Sequence, residues 1–193
     1  MSQAPHAYEA LLALFEGEGS RDYLGEQVSM AQHMLQTAEA ARRAGAAPGL
    51  VVAAVTHDVG HFTGVVSGRA LMEGVDNHHD EVAAAWLATW FGEEVTGPVR
   101  LHVLAKRYLC ATDAGYYDCL SEASRYTLGL QGGPMTAREV AAFAARPFAE
   151  DAVLLRRCDD AGKDPDGETL TLGHFRQDIE ALDRTISAGI SAG

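Results

Sequence analysis

The chain has 193 residues, enough to bury a core and enclose a pocket within one domain spanning 1–193. Its 47% apolar and 22% charged residues exclude disorder as the main state. Acidic residues outnumber basic ones 27 to 15, and the formal charge of −12 disfavours nucleic acid and anionic membrane as partners; a small anionic substrate answers to local charge and stays open.

From the N-terminus, MSQAPHAYEALLALFEGEG has no positive stretch ahead of its short apolar run, so it reads as neither a secretory signal nor a span. No run of about 18 apolar residues occurs elsewhere. Cys110, Cys119 and Cys158 are odd in number and form no C-x-x-C pair, which fits reduced thiols and a cytoplasmic location. Helical periodicity predicts helices at 6–16, 27–44, 49–57, 78–91, 97–110, 121–131, 136–145, 147–159 and 171–188. Gly45 stops the second and Pro48 starts the third. Thr136 and Glu139 form a capping box, and Pro147 restarts the chain. Residues 62–76 and 111–120 read as loops. The segment Asp164-Pro165-Asp166-Gly167-Glu168 lacks the glycine and glutamate positions of a calcium loop and reads as a polar turn. The expected fold is a single all-α helical bundle.

The chemistry concentrates at His57-Asp58-Val59-Gly60-His61, which comes directly after the apolar run Val51–Val55 and Thr56. Polar groups delivered by a buried helix need partners or a metal. His57 and His61 share a helix face at i and i+4, and Asp58 points about 100° away, beside them. Four further residues sit in apolar surroundings or at helix ends: His33, His79, His102 and Asp159. Each has an ordinary reading on its own, as a satisfied core histidine or a helix cap. Their order around the His-Asp pair argues against coincidence. Spacing alone does not choose between His78 and His79, or between Asp159 and Asp160; the Asp-Glu-x-Ala-Ala pattern favours His79. His6 and His174 read as surface residues.

The order His, His-Asp, His, His, Asp over residues 33–159 resembles the HD superfamily with a two-metal site. Several motifs narrow the resemblance: Tyr23-Leu24-Gly25-Glu26, His102-x-x-x-Lys106-Arg107-Tyr108-Leu109, Leu120-Ser121-x-x-Ser124, Leu130-Gln131-Gly132-Gly133-Pro134-Met135 and Arg156-Arg157-x-Asp159-Asp160-x-x-Lys163. Together they resemble the mixed-valent diiron oxygenases that cleave 2-amino-1-hydroxyethylphosphonate and its trimethylammonio analogue. The resemblance implies one iron held by His33, His57, Asp58 and Asp159. It implies a second held by His79 and His102, with Asp58 bridging. It further implies dioxygen as co-substrate and a small hydroxyphosphonate held by His61, Lys106, Ser124, Gln131 and Arg156. Phosphate and glycine or glycine betaine would be released, and Tyr23 and Glu26 would cover the site before substrate enters.

The residues themselves bear on these roles. Lys106 lies i+4 from His102, on the same face, where an ammonium could hold a phosphonate oxygen; a snorkelling surface lysine is the commoner fate. Arg156 could hold the phosphonate bidentately or pair with Asp159 or Asp160. The same constellation would also serve a metal-dependent phosphohydrolase or a non-catalytic ligand-sensing module. The sequence leaves the nitrogen substituent and the oligomeric state open. A primary ammonium wants acceptors, a trimethylammonium wants aromatic faces, and both occur, among them Glu26, Asp80, Tyr108 and Tyr116.

Overall fold

The structure, a computed structural model, describes residues 5–17, 27–63, 78–168 and 170–186. All regular structure among them is helical, without a strand. In chain order the helices are α1 (Ala7–Glu16), α2 (Met30–Arg43), α3 (Pro48–Thr56), α4 (Gly60–Thr63), α5 (His79–Leu87) and α6 (Glu93–Thr112). Then come α7 (Tyr116–Cys119), α8 (Glu122–Leu130), α9 (Ala137–Ala144), α10 (Ala149–Ala161), a 3-10 turn (Leu172–Phe175) and α11 (Arg176–Leu182).

The expected punctuation is in place. Ser29 accepts from the Gln32 amide to cap α2, Gly45 turns the chain at φ +73°, and Pro48 opens α3. The Thr136–Glu139 capping box starts α9. Every residue of α3 from Gly49 to Thr56 is buried, since Leu50, Val51, Val52 and Val55 face neighbours on all sides. Helices α2, α6, α10 and α11 pack around it. A helix apolar all round belongs at the centre of a bundle, so the residues just past its C-terminus are delivered into the interior.

Several expectations about the helices and loops shift. Helix α6 begins at Glu93 rather than 97 and runs through Pro98. Proline forfeits a single helical hydrogen bond there, while Val95 and Val99 bury on either side of it. Helix α10 continues to Ala161 rather than stopping at Asp159, so Asp159 and Asp160 leave it about 100° apart. The predicted helix 171–188 is a 3-10 turn leading into α11. The expected loop 111–120 contains α7, which turns Tyr116 inward. Most of the other expected loop, 62–76, lies outside the described residues.

Candidate metal centre

Immediately after α3, His57 and Asp58 enter the interior, buried with His61. Gly60 makes this turn fit. A Cβ on it would stand 2.0 Å from the His79 carbonyl oxygen, so only glycine lets α4 meet the start of α5. That approach brings His79 beside Asp58. Helix α2 supplies His33, α6 supplies His102 and α10 supplies Asp159 and Arg156, all buried.

Asp58 stands at the centre with its two oxygens facing different partners. Its Oδ2 lies 3.7 Å from His33 Nε2 and 3.5 Å from His57 Nε2. Asp159 closes that side, with Oδ1 3.3 Å from His33 Nε2 and Oδ2 4.0 Å from His57 Nε2. The Oδ1 of Asp58 lies 3.5 Å from His79 Nε2, 3.7 Å from His102 Nε2 and 3.9 Å from His61 Nε2. Two donor groups that share one carboxylate result: His33, His57 and Asp58 on one side, and Asp58, His61 and His79 on the other.

The imidazoles are oriented by their other nitrogen. Nδ1–H of His33 donates to the Gly162 carbonyl at 2.9 Å, that of His57 to Ala54 at 2.8 Å and that of His102 to Val99 at 2.7 Å. A carbonyl only accepts, so each bond leaves the Nε2 lone pair aimed at the carboxylates, the tautomer a metal requires. The buried Nε2 of His57 has no hydrogen-bond partner, which a protein interior rarely tolerates. His79 and His102 bring their Nε2 atoms within 3.1 Å. Two nitrogens bound at right angles to one ion about 2.1 Å away would stand about 3.0 Å apart. The donor set therefore fits metal ions on both sides of Asp58.

Electrostatics point the same way. Burial alone would raise the Asp58 carboxyl, but His57, His61, His79 and His102 outweigh it and hold it well below the usual carboxylate range. Burial likewise opposes ionisation of Asp159, and the Arg156 guanidinium overrides it, holding the carboxyl well below its usual range. Burial lowers His61, pushes His79 well down and brings His102 to about 4. At neutral pH the centre therefore offers ionised carboxylates and, at His61, His79 and His102, neutral imidazoles.

A cleft opens from this centre, lined by Asp58, His61, His79, His102 and Asp159 on one side. Its other wall carries Lys106, Ser124, Thr127, Gln131, Arg156 and Lys163. Lys106 is buried and donates to Thr127 Oγ1 at 2.9 Å; burial and then Arg156 bring its ammonium down to about 7. Arg156 donates through NH1 to Asp159 Oδ2 at 2.5 Å and reaches Ser124 Oγ from NH2 at 3.5 Å. Lys163 donates to Ser124 Oγ at 3.1 Å. Gln131 also lines the cleft, and its buried Oε1 has no hydrogen-bond partner. No Phe, Tyr or Trp lines the cleft among the described residues.

The structure thus brings together His33, His57, Asp58, His79, His102 and Asp159, and gathers His61, Lys106, Ser124, Gln131 and Arg156 beside them. On the two open choices the structure gives positions. His78 is exposed at φ +46° while His79 is buried facing Asp58, and Asp160 turns to Arg156 and Tyr116 while Asp159 faces His33. Tyr23 and Glu26 lie outside the described residues. Sequence reasoning gave no role to Thr127 or Lys163. Lys163 closes the motif that begins at Arg156, whereas Thr127 carries no signal beyond lying i+3 from Ser124.

Residues 30–141 match the HD domain family. The chain is 42% identical, over 90% of its length and 89% of the relative's, to [1-hydroxy-2-(trimethylamino)ethyl]phosphonate dioxygenase (glycine-betaine-forming) of Leisingera caerulea. It is 39% identical to hydroxymethylphosphonate dioxygenase of Gimesia maris, over 90% of this chain and 88% of that one.

Proposed function

The chain belongs to the HD-domain family, in the branch of the phosphonate dioxygenases, and on that footing we propose that it is an iron-dependent oxygenase cleaving the carbon–phosphorus bond of a 1-hydroxyphosphonate. The observation that carries this reading is a cleft with a shared-carboxylate histidine centre on one wall and three cationic side chains, Lys106, Arg156 and Lys163, on the other. The substrates named for the two relatives share a hydroxyl and a phosphonate on one carbon, and the cleft addresses that head group. Hydrolysis and ligand sensing, the other readings of an HD constellation, share its metal-binding residues, and the dioxygenase names of both relatives favour oxidation over them.

We assign His33, His57, Asp58 and Asp159 to one iron and His79 and His102 to a second, with Asp58 between them, as a mixed-valent pair. Loaded in this way, the centre would supply redox-active Lewis-acid chemistry toward substrate and dioxygen. The protein's own residues bind and orient. Lys106, Arg156 and Lys163 neutralise the phosphonate, and Ser124 and Thr127 present hydroxyls to its oxygens. Gln131 Oε1 accepts from a substrate donor, and His61, stacked on His79 with centroids 4.1 Å apart, hydrogen-bonds the substrate's hydroxyl beside the centre. The overall change balances as hydroxyphosphonate plus one dioxygen giving a carboxylate plus phosphate.

Glycine betaine is the product expected from the trimethylammonio substrate and glycine from the primary amine. A cytoplasmic location and a covering role for Tyr23 and Glu26 belong to the same proposal. No helix among the described residues is long and apolar enough to cross a membrane. The test is turnover of the trimethylammonio, amino and hydroxymethyl substrates in air by iron-loaded protein, with the carboxylate product identified by NMR. The expected result is a carboxylate retaining the substrate's carbon skeleton; an alcohol or aldehyde product would overturn the reading.

A further inference from the structure

Arg156 is buried, and its guanidinium is spoken for on nearly every side. NH1 holds Asp159 Oδ2 at 2.5 Å, and NH2 reaches Asp160 Oδ1 and, at 3.5 Å, Ser124 Oγ. Its Nε donates to the hydroxyl of Tyr116 at 3.0 Å, and that hydroxyl donates in turn to Asp160 Oδ2. Arg156, Tyr116 and Asp160 therefore close a ring of hydrogen bonds behind the cleft. Tyr116 is not among the residues lining the cleft. Its ring packs with Leu109, Leu120 and Leu128, which fixes where the hydroxyl stands. Burial pushes its phenol well above the usual range, so the hydroxyl keeps its proton and its donor role.

A guanidinium has five N–H groups in a rigid plane, so fixing the Nε edge fixes the direction of the NH1 and NH2 edges. Without that edge fixed, Arg156 could settle wholly onto Asp159 and Asp160 and turn away from the cleft. We propose that Tyr116 is a positioning residue: with Asp160 it sets the plane of Arg156, so that the guanidinium presents its remaining donor capacity to the phosphonate oxygens. Arg156 touches the substrate, and Tyr116 acts through it. The inference rests on the proposed reading that an oxyanion occupies this cleft.

The variant is Tyr116→Phe, which keeps the ring in its apolar setting and removes only the hydroxyl. Two experiments use iron-loaded protein: steady-state kinetics in air, giving KM and kcat for the hydroxyphosphonate, and anaerobic calorimetry, giving the Kd of inorganic phosphate. We expect KM and Kd to rise about ten-fold, with kcat within about two-fold and iron content unchanged. In an Arg156→Lys background the same substitution should have no further effect on Kd, because the partner it positions is gone. Unchanged Kd in Tyr116→Phe, or an equal weakening in both backgrounds, overturns the inference. Iron loss in step with the loss of affinity also overturns it, by assigning Tyr116 to support of Asp159 instead. Phosphate binding that Tyr116→Phe weakens, in a chain that does not turn over phosphonate, upholds the inference while the oxygenase reading falls.

Discussion

Asp58 Oδ1 lies 3.5 Å from His79 Nε2 while its other oxygen faces His33 and His57, so one carboxylate is turned to two donor groups at once. Removing it should therefore uncouple two ions rather than merely weaken one. In Asp58→Ala, the paramagnetic signal of a coupled Fe(II)/Fe(III) pair is expected to vanish. Iron content should fall well below the roughly two per chain of the parent. A full coupled signal in that variant would remove Asp58 from the bridging role.

Gly60 lets the start of α5, which carries His79, close on the turn that follows Asp58. A methyl at this position would meet backbone, the His79 carbonyl at 2.0 Å and the Ala83 nitrogen at 2.9 Å, neither of which can rotate aside. Gly60→Ala should cost about 1–3 kcal/mol of stability by overpacking. It should also lower iron content by displacing His79. Urea unfolding and metal analysis on the same preparation check both effects. A stable variant with full iron would show that α4 and α5 can separate without disturbing the centre.

Lys106 gives the activity an alkaline limb. Its ammonium is brought down to about 7 by burial, so in the substrate-free enzyme the charged form declines as pH rises through that value. The logarithm of kcat/KM should then fall above about pH 7 as the phosphonate loses a cation. A guanidinium keeps its charge there, so Lys106→Arg should flatten this limb even where its absolute rate is lower. An unchanged limb in Lys106→Arg would assign it to another group.

The metal-free protein should lose stability on mild acidification. Burial lowers His61, puts His79 well down and brings His102 to about 4, whereas unfolded histidine titrates near 6.5. Between about pH 6.5 and 4 the unfolded chain binds more protons than the folded one, so stability falls as pH falls through that window and is recovered above it. Asp58 is ionised in both states over most of this range and contributes little to the slope. Denaturation midpoints of chelator-treated protein at pH 7.5, 6 and 5 should decline in that order; a flat series would mean that these imidazoles are not buried in the apo state.

Much of the centre is legible in the sequence because its histidines and carboxylates sit where helical spacing already constrains them. His57 and Asp58 are consecutive at the end of a nearly all-apolar run, and Lys106 is one turn from His102. The choice of Asp159 over Asp160 is different in kind. It depends on α10 running two residues further than expected, so that Asp159 reaches both His33 and Arg156 while Asp160 meets Arg156 and Tyr116. Tyr116 is hidden for a related reason: in sequence it is one of two tyrosines in a loop rich in small and acidic residues. Only the left-handed turn at Gly115 and the short α7 bring it beneath Arg156. Thr127 depends on how α8 lies against α6, which no local pattern encodes.

The most direct measurement is phosphate release and oxygen uptake monitored on one sample of iron-loaded protein with 1-hydroxy-2-(trimethylammonio)ethylphosphonate. The cleft's shared-carboxylate centre suits either activated water or dioxygen, and only the second consumes oxygen. The predicted result is one phosphate released per dioxygen consumed, with release stopping under strict anaerobiosis and restored by neither manganese nor magnesium. Full phosphate release without oxygen would contradict the oxygenase and make the protein a hydrolase.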